Sequence, residues 1–413
     1  MRNCVLLIIL IAAAGILLTG CINLLEHNSE RTTITPHHPA PYERPPVELI
    51  SVSNYEELIE MILDLITEHE TEIKLLYYHS EGEDVQAEVS RAVHEIQYEH
   101  PIGVYAVERI TAEAARIVTH FEVDIEIEYK RTREQINSIV AAPTLRYMTT
   151  QLLNVMSEYR EEAVFRTRLL FSEEEITEFV KDVYYQNPRR IIMMPAVAVE
   201  VFPEEGTDRI YEIKFSYTDD QSILIGYSEQ LELYVRQEAQ RAVGNTDSEI
   251  LLSLATGLIE STSFDDGTAR TIHTHGAPNF AATAYGALVR GSAVGEGFAM
   301  AFKALCDELR FDNRVVLGYY DGMVHAWNIV LLYGYFYHID ISMCVVNGIE
   351  TAFLKTDADF EEKYEWDRDN TVRCLGELTL DDILGLRDPG DPDDPTDRID
   401  ENDDEFAGEE EDQ

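Results

Sequence analysis

Apolar positions along this chain recur at two spacings, one of three to four residues and one of two, and the order in which they alternate gives a first outline. Tyr55 to Glu68 has helical spacing, Glu72 to Tyr78 reads as a strand, Val85 to Glu99 as a helix, and Val123 to Tyr129 alternates on one phase. With a further strand, the stretch from Leu49 to Ile136 reads helix, strand, helix, strand, strand. The same order then returns. Leu145 to Tyr159 is helical, Ala163 to Phe171 extended and Glu173 to Tyr185 helical, while Ile191 to Phe202 and Tyr211 to Tyr217 are strands. The segments Ile125-Glu126-Ile127-Glu128-Tyr129 and Glu212-Ile213-Lys214-Phe215-Ser216-Tyr217 fall at equivalent places, roughly 88 residues apart. The expectation is two copies of a small α+β module, neither with a catalytic cluster.

Beyond them, Ser228 to Arg241 and Asp247 to Ser261 are helical, the second with Ile250, Leu251, Leu254 and Leu258 on one face. A loop after Phe264-Asp265 leads to Thr283–Val289 and then to a helix opening near Gly295, along which Phe298, Phe302, Leu305 and Leu309 recur. Val324 to Leu332 and Tyr335 to Ser342 alternate as two strands joined at Tyr333-Gly334, a hairpin turn. That turn would pair Trp327 with Asp340 and His325 with Ser342, making His325 and Asp340 diagonal neighbours about 7 Å apart at their backbones. A carboxylate so placed fixes the imidazole tautomer and stabilises its cation. His338, one step further along that face and opposite Ile329, reads as packing.

The two ends differ from the body. Arg2, an apolar run from Val5 to Leu18 and then Leu18-Thr19-Gly20-Cys21 suit a signal peptide, the run being shorter than the about 20 residues of a spanning helix. The last four residues resemble the lipobox of bacterial lipoproteins, in which the chain is cut before the cysteine and the cysteine carries lipid such as palmitate; an uncleaved anchor is the alternative. Either way the body lies outside the cytoplasm, on the cell membrane. Pro36, Pro39, Pro41, Pro45 and Pro46 make His27 to Glu48 an extended spacer. From Arg387 to Gln413 the chain is rich in Asp, Glu, Pro and Gly, a disordered composition without the alternation of a calcium loop. The expected division is a signal peptide at 1–20, a linker at 21–48, α+β modules at 49–137 and 138–226, a last folded domain at 227–375 and an acidic tail at 376–413.

Composition narrows the function. Across 413 residues, 45% apolar with 9% aromatic residues supports real cores, while 78 acidic against 32 basic residues leave a formal net charge of -46. Such a chain repels phosphate backbones, so nucleic acid is excluded as an expected partner. The carboxylate-rich surface suits a salty medium. Of five cysteines, Cys306, Cys344 and Cys374 lie in the body, an odd number that argues against a disulfide framework.

Thr283-Ala284-Tyr285-Gly286, Ala293-Val294-Gly295-Glu296-Gly297, His325-Ala326-Trp327-Asn328, Tyr337-His338-Ile339-Asp340 and Tyr364-Glu365-Trp366-Asp367 resemble, in order and spacing, the bacterial transglutaminase-like superfamily. The resemblance covers about Asn245 to Cys374. It implies a papain-like cysteine fold of class α+β, a helix bundle packed on an antiparallel sheet. It also implies a nucleophilic cysteine at a helix N-terminus, His325 as its base and Asp340 to orient the histidine. The cysteine's place is taken by Gly295, which has no side chain to attack a carbonyl. Cys306 lies 11 residues further along the helix, about 16 Å away along the axis; Cys344 sits on a strand without a helix N-terminus to lower its pKa; Ser292 precedes the helix. Tyr285 is either a hydrogen-bond donor into the cleft or an aromatic packed in its helix. The expectation is a pseudoenzyme with a vestigial His325–Asp340 dyad. Its partners would be peptide, protein or cell-wall peptide, with the membrane reached through lipid on Cys21 and no cofactor or metal. An active peptidase or amide transferase with a substitute nucleophile, and a structural lipoprotein binding a protein partner, are the alternatives.

Overall fold

The computed structural model describes residues 50–78 and 84–386, so the expected leader, Cys21, the proline-rich spacer and the acidic tail from 387 onward lie outside the described residues. The fold is mixed α+β. Its first sheet has the order β1-β2-β4-β3, from β1 (Ile50–Val52), β2 (Glu72–Tyr77), β3 (Val107–Ile117) and β4 (His120–Tyr129). β1 runs parallel to β2, and the other pairs are antiparallel. The helices Tyr55–Glu68 and Val85–Tyr98 pack Leu58, Ile62, Val89 and Ile96 into the core. Each is started by a side chain that accepts backbone N–H groups, Asn54 for Glu57 and Asp84 for Gln86 and Ala87. A third helix, Pro101–Ala106, was not anticipated from the pattern; Pro101 opens it where a missing N–H costs nothing.

The second sheet repeats that order as β5-β6-β8-β7, from β5 (Val140–Ala141), β6 (Glu162–Thr167), β7 (Ala196–Phe202) and β8 (Arg209–Ser216). Here too the first short strand is parallel to its neighbour and the remaining pairs are antiparallel. Its helices are Leu145–Ser157 and Glu173–Gln186, the latter opened by a reciprocal Ser172–Glu175 capping box. Strand β7 starts five residues later than the apolar run suggested, because Ile191 to Met194 are buried as loop and Pro195 has no N–H to give a ladder. Glu212 on β8 is fully buried and met by Arg131 Nη2 at 2.8 Å from the chain that follows β4, which ties the two sheets together.

The helices beside the second sheet share a core with the elements that follow them. Tyr184, Tyr185 and Leu224 belong to one continuous apolar core with Leu251, Phe298, Phe302 and Trp327. Around it stand the helices Gln221–Ala239, Asp247–Ser261 and Gly295–Glu308, against a wholly antiparallel sheet of order β13-β12-β11-β14. Its strands are β11 (Asn313–Tyr320), β12 (Met323–Leu332), β13 (Tyr335–Ile339) and β14 (Tyr364–Trp366). A small parallel pair, β9 (Ser263–Phe264) with β10 (Ser292–Ala293), delivers the chain to Gly295. The helix from Gly295 is buried through Cys306 and lies across β11 and β12. Among the described residues no helix is long and apolar enough to cross a membrane.

Candidate functional site

The β12–β13 hairpin turns at Tyr333 (φ 50°) and Gly334 (φ 87°), the left-handed pair that two-residue hairpin turns need. Its register pairs Leu332 with Tyr335 and Ile329 with His338, as the alternation required. The ladder ends at Asn328–Ile339 rather than continuing to Ser342. Asp340 instead caps the helix Ile341–Asn347 by accepting the Met343 N–H at 3.1 Å, which turns the chain out of the sheet. The carboxylate still reaches His325, with Nε2 2.6 Å from Asp340 Oδ2.

Four donors converge on this carboxylate. Oδ2 accepts from His325 Nε2 and from the Tyr364 hydroxyl at 2.9 Å; Oδ1 accepts from the Ser342 hydroxyl at 2.6 Å and from Met343 N. Burial works against the charge, but the imidazole and the hydrogen bonds from Ser342 and Met343 outweigh it and hold Asp340 below the usual carboxylate range. A carboxylate acceptor requires a proton on Nε2, which leaves Nδ1 as the ring nitrogen turned away from Asp340. The ring is walled by Tyr320, Tyr364 and Trp327.

Nδ1 faces Gly295. A Cβ built on Gly295 would lie 2.5 Å from His325 Cε1 and 2.6 Å from Nδ1, so the imidazole occupies the space where any side chain at this position would begin. Gly295 opens its helix after Val294, which offers no side-chain cap, and the first helical hydrogen bond runs from Phe298 N–H to Val294 O. The earliest N–H groups therefore present the positive end of the helix beside the imidazole.

None of the alternative nucleophiles is placed for His325 to activate. Cys306 is fully buried, with its thiol pushed up to about 12 by burial. Cys344 lies on the helix Ile341–Asn347 and not on the expected strand, because the chain leaves the ladder at Asp340; burial likewise raises its thiol, which donates to Ile349 O at 3.6 Å. Ser292 is on β10, paired with Ser263. Ser342 Oγ is 3.5 Å from Nε2 but is buried and donates to Asp340, so it orients the carboxylate. The Tyr285 hydroxyl donates to Gln230 at 2.7 Å, and its ring packs on Tyr227 and Phe280; it is turned toward the helix Gln221–Ala239 and away from the cleft.

His338 is more than packing. Trp327 Nε1–H donates to its Nδ1 at 3.0 Å, and its Nε2–H donates to Asp357 at 3.1 Å. Burial, which Asp357 only partly offsets, lowers it to about 4. His338, Asp357 and Cys374 bring one potential ligand atom each within 4.8 Å, all buried. A metal on Nε2 would shift the ring proton to Nδ1, where the Trp327 N–H already points, so two donors would face each other; burial also pushes the Cys374 thiol up to about 12. The triad is a hydrogen-bonded cluster.

Glu296, next to Gly295, is a site residue that the sequence pattern did not mark. Its Oε1 accepts from Tyr185 of the helix Glu173–Gln186 at 2.5 Å and from Gly276 N at 3.1 Å, while His275 Nδ1 is 3.9 Å from Oε2.

A mixed α+β protein with a buried histidine–aspartate pair at an uncapped helix N-terminus is what fold and site define. No family model matches the chain, and no curated protein does. Among solved structures it is similar to a TGase at 11% identity, covering 53% of this chain and 60% of that one with a TM-score of 0.26. It is similar to a putative cysteine protease from Cytophaga hutchinsonii at 15% identity (37% and 65% covered, TM-score 0.23). A putative protease from Parabacteroides distasonis aligns at 8% identity (66% and 43% covered, TM-score 0.19). The chain spans less than two thirds of the length of each.

Proposed function

We propose that this protein is a membrane-anchored, extracytoplasmic, transglutaminase-like pseudoenzyme that binds peptide or cell-wall peptide in a cleft it no longer uses for catalysis. The observation that carries the reading is the Gly295–His325–Asp340 arrangement. A buried imidazole is oriented by a four-donor carboxylate, yet at the position it faces there is no nucleophile, and its own ring fills the space. The polar network around Asp340 is maintained while the group it would serve is missing, which favours binding over turnover. Lipid on Cys21 would hold the body at the membrane. In this reading the two sheets of equal strand order are two copies of one module.

The test is incubation of the purified protein with peptide and peptidoglycan-derived amide substrates, followed by intact-mass and product analysis alongside a binding titration. Saturable binding with no acyl adduct and no product is the expected result. A covalent adduct on Ser292, Cys306 or Cys344 would replace this reading with an active peptidase or amide transferase. The anchor is tested separately: the native N-terminus should be a lipidated Cys21 recovered with membranes, and a soluble protein starting elsewhere would remove that part.

A further inference from the structure

Beside Gly295 and His325 the surface opens into a cavity of about 180 Å³ whose walls are almost entirely hydrocarbon. Phe264, Ile272, Val294, Met323, Met343 and Val346 form them, with the imidazole and the Gly295 backbone as the polar floor. Glu296 also borders it, but Tyr185 and Gly276 occupy one of its carboxylate oxygens. Two of the wall residues are strongly exposed for their type, Met323 at 58% and Val346 at 52%. The lining comes from four separate parts of the fold: β9 and the loop after it, the start of the Gly295 helix, the β11–β12 turn and the helix Ile341–Asn347.

We infer that this cavity is a specificity pocket for one aliphatic side chain, of leucine or methionine size, carried by an uncharged stretch of peptide. The inference rests on the peptide-binding reading and adds the residue that is recognised. Size sets the upper limit, since a cavity of about 150 Å³ takes a single benzene ring. The apolar wall sets the class, because a charged or amide side chain would lose its water there without a partner. The floor supplies what the peptide backbone next to that side chain needs. Nδ1 of His325, on a residue only 9% exposed, is the ring nitrogen not engaged by Asp340 and is the polar atom a peptide backbone would meet at the floor. The uncapped N–H groups from Gly295 onward suit the carbonyl oxygen. A neutral ligand also escapes the repulsion that a net charge of -46 imposes on anions.

The two wall methionines make the test direct. The protein is labelled at its methionine methyl carbons and titrated with N-acetyl-leucine N-methylamide and N-acetyl-alanine N-methylamide, in wild type and in Ala269→Phe, which adds a ring to the cavity wall at a partly exposed position. The expected result is a saturable shift of the Met323 and Met343 methyls, with the leucine compound binding at least tenfold more tightly. That preference should be lost in Ala269→Phe, whose unchanged core methionine signals would show it folded. Equal binding of the two compounds, or a leucine preference that survives Ala269→Phe, would overturn the pocket while leaving peptide binding standing. No shift with either compound would overturn the pocket, and the peptide reading falls with it only if longer peptides also fail to bind.

Discussion

Adding one methyl group at Gly295 should cost stability, and the cost should disappear when His325 is removed. In Gly295→Ala the new Cβ would sit 2.5 Å from His325 Cε1, whereas ordinary contact begins at 3.4 Å, so the ring has to withdraw by nearly 1 Å. It cannot do so freely, being tied to Asp340 at 2.6 Å and walled by Tyr320, Trp327 and Tyr364. Overpacking of this kind costs about 1–3 kcal/mol, and the better helix propensity of alanine returns about 0.5–1 kcal/mol. The net loss should be up to about 2.5 kcal/mol, most of it recovered when His325 is absent. Urea denaturation of wild type, Gly295→Ala, His325→Ala and the double variant forms the cycle that isolates the contact from the loss of the Asp340 hydrogen bond. A coupling of at least about 1 kcal/mol is expected. A coupling near zero, or a Gly295→Ala protein more stable than wild type, would refute the claim that the imidazole fills the space a side chain at residue 295 would take.

Further outcomes follow from the buried polar groups. His338, lowered to about 4 against an unfolded value near 6.5, is neutral when folded but takes up a proton on unfolding between those values, so stability falls as pH drops through that window. The part owed to His338 should be about 2 kcal/mol between pH 7 and 5; His338→Asn should flatten the profile correspondingly, and an unchanged slope would contradict the assignment. His100, lowered to about 4 chiefly by burial, adds to the acid sensitivity in the same direction. Tyr364→Phe removes one donor from Asp340 and should cost about 1–3 kcal/mol. Because Asp340 is held below its unfolded value, its stabilisation is present above about pH 4 and fades as pH falls; in Tyr364→Phe the fading should begin at higher pH, read from carboxyl carbon chemical shifts.

How much of the site was legible depended on sequence distance. The hairpin was readable because period-two alternation flanks Tyr333-Gly334, and its register placed His325 near Asp340. The end of β13 was not, because a strand pattern does not show that an aspartate will leave the ladder to cap a helix. His338 was read as packing since its partners Trp327 and Asp357 are 11 and 19 positions away and neither alternation nor motif joins all three. Tyr285 finds Gln230 across 55 residues and Glu296 finds Tyr185 across 111, contacts made by tertiary packing alone. The occupation of the Gly295 space by the imidazole is also a packing result. From sequence the glycine signified a missing thiol; in the fold it is also the residue that lets the ring come so close.

Placing a thiol at residue 295 tests the proposed function most directly. In Gly295→Cys, the iodoacetamide reaction of residue 295 is followed by peptide mass spectrometry across pH, beside the same variant carrying His325→Ala. Site-specific readout separates it from the buried Cys306, Cys344 and Cys374. The account predicts a ring displaced yet still oriented by Asp340, and with the helix N-terminus it should lower the thiol pKa well below about 8.5, giving reaction near neutral pH that is lost without His325. A thiol that titrates near 8.5 in both variants would contradict it, because the histidine, aspartate and helix end would then not act together on a group at residue 295.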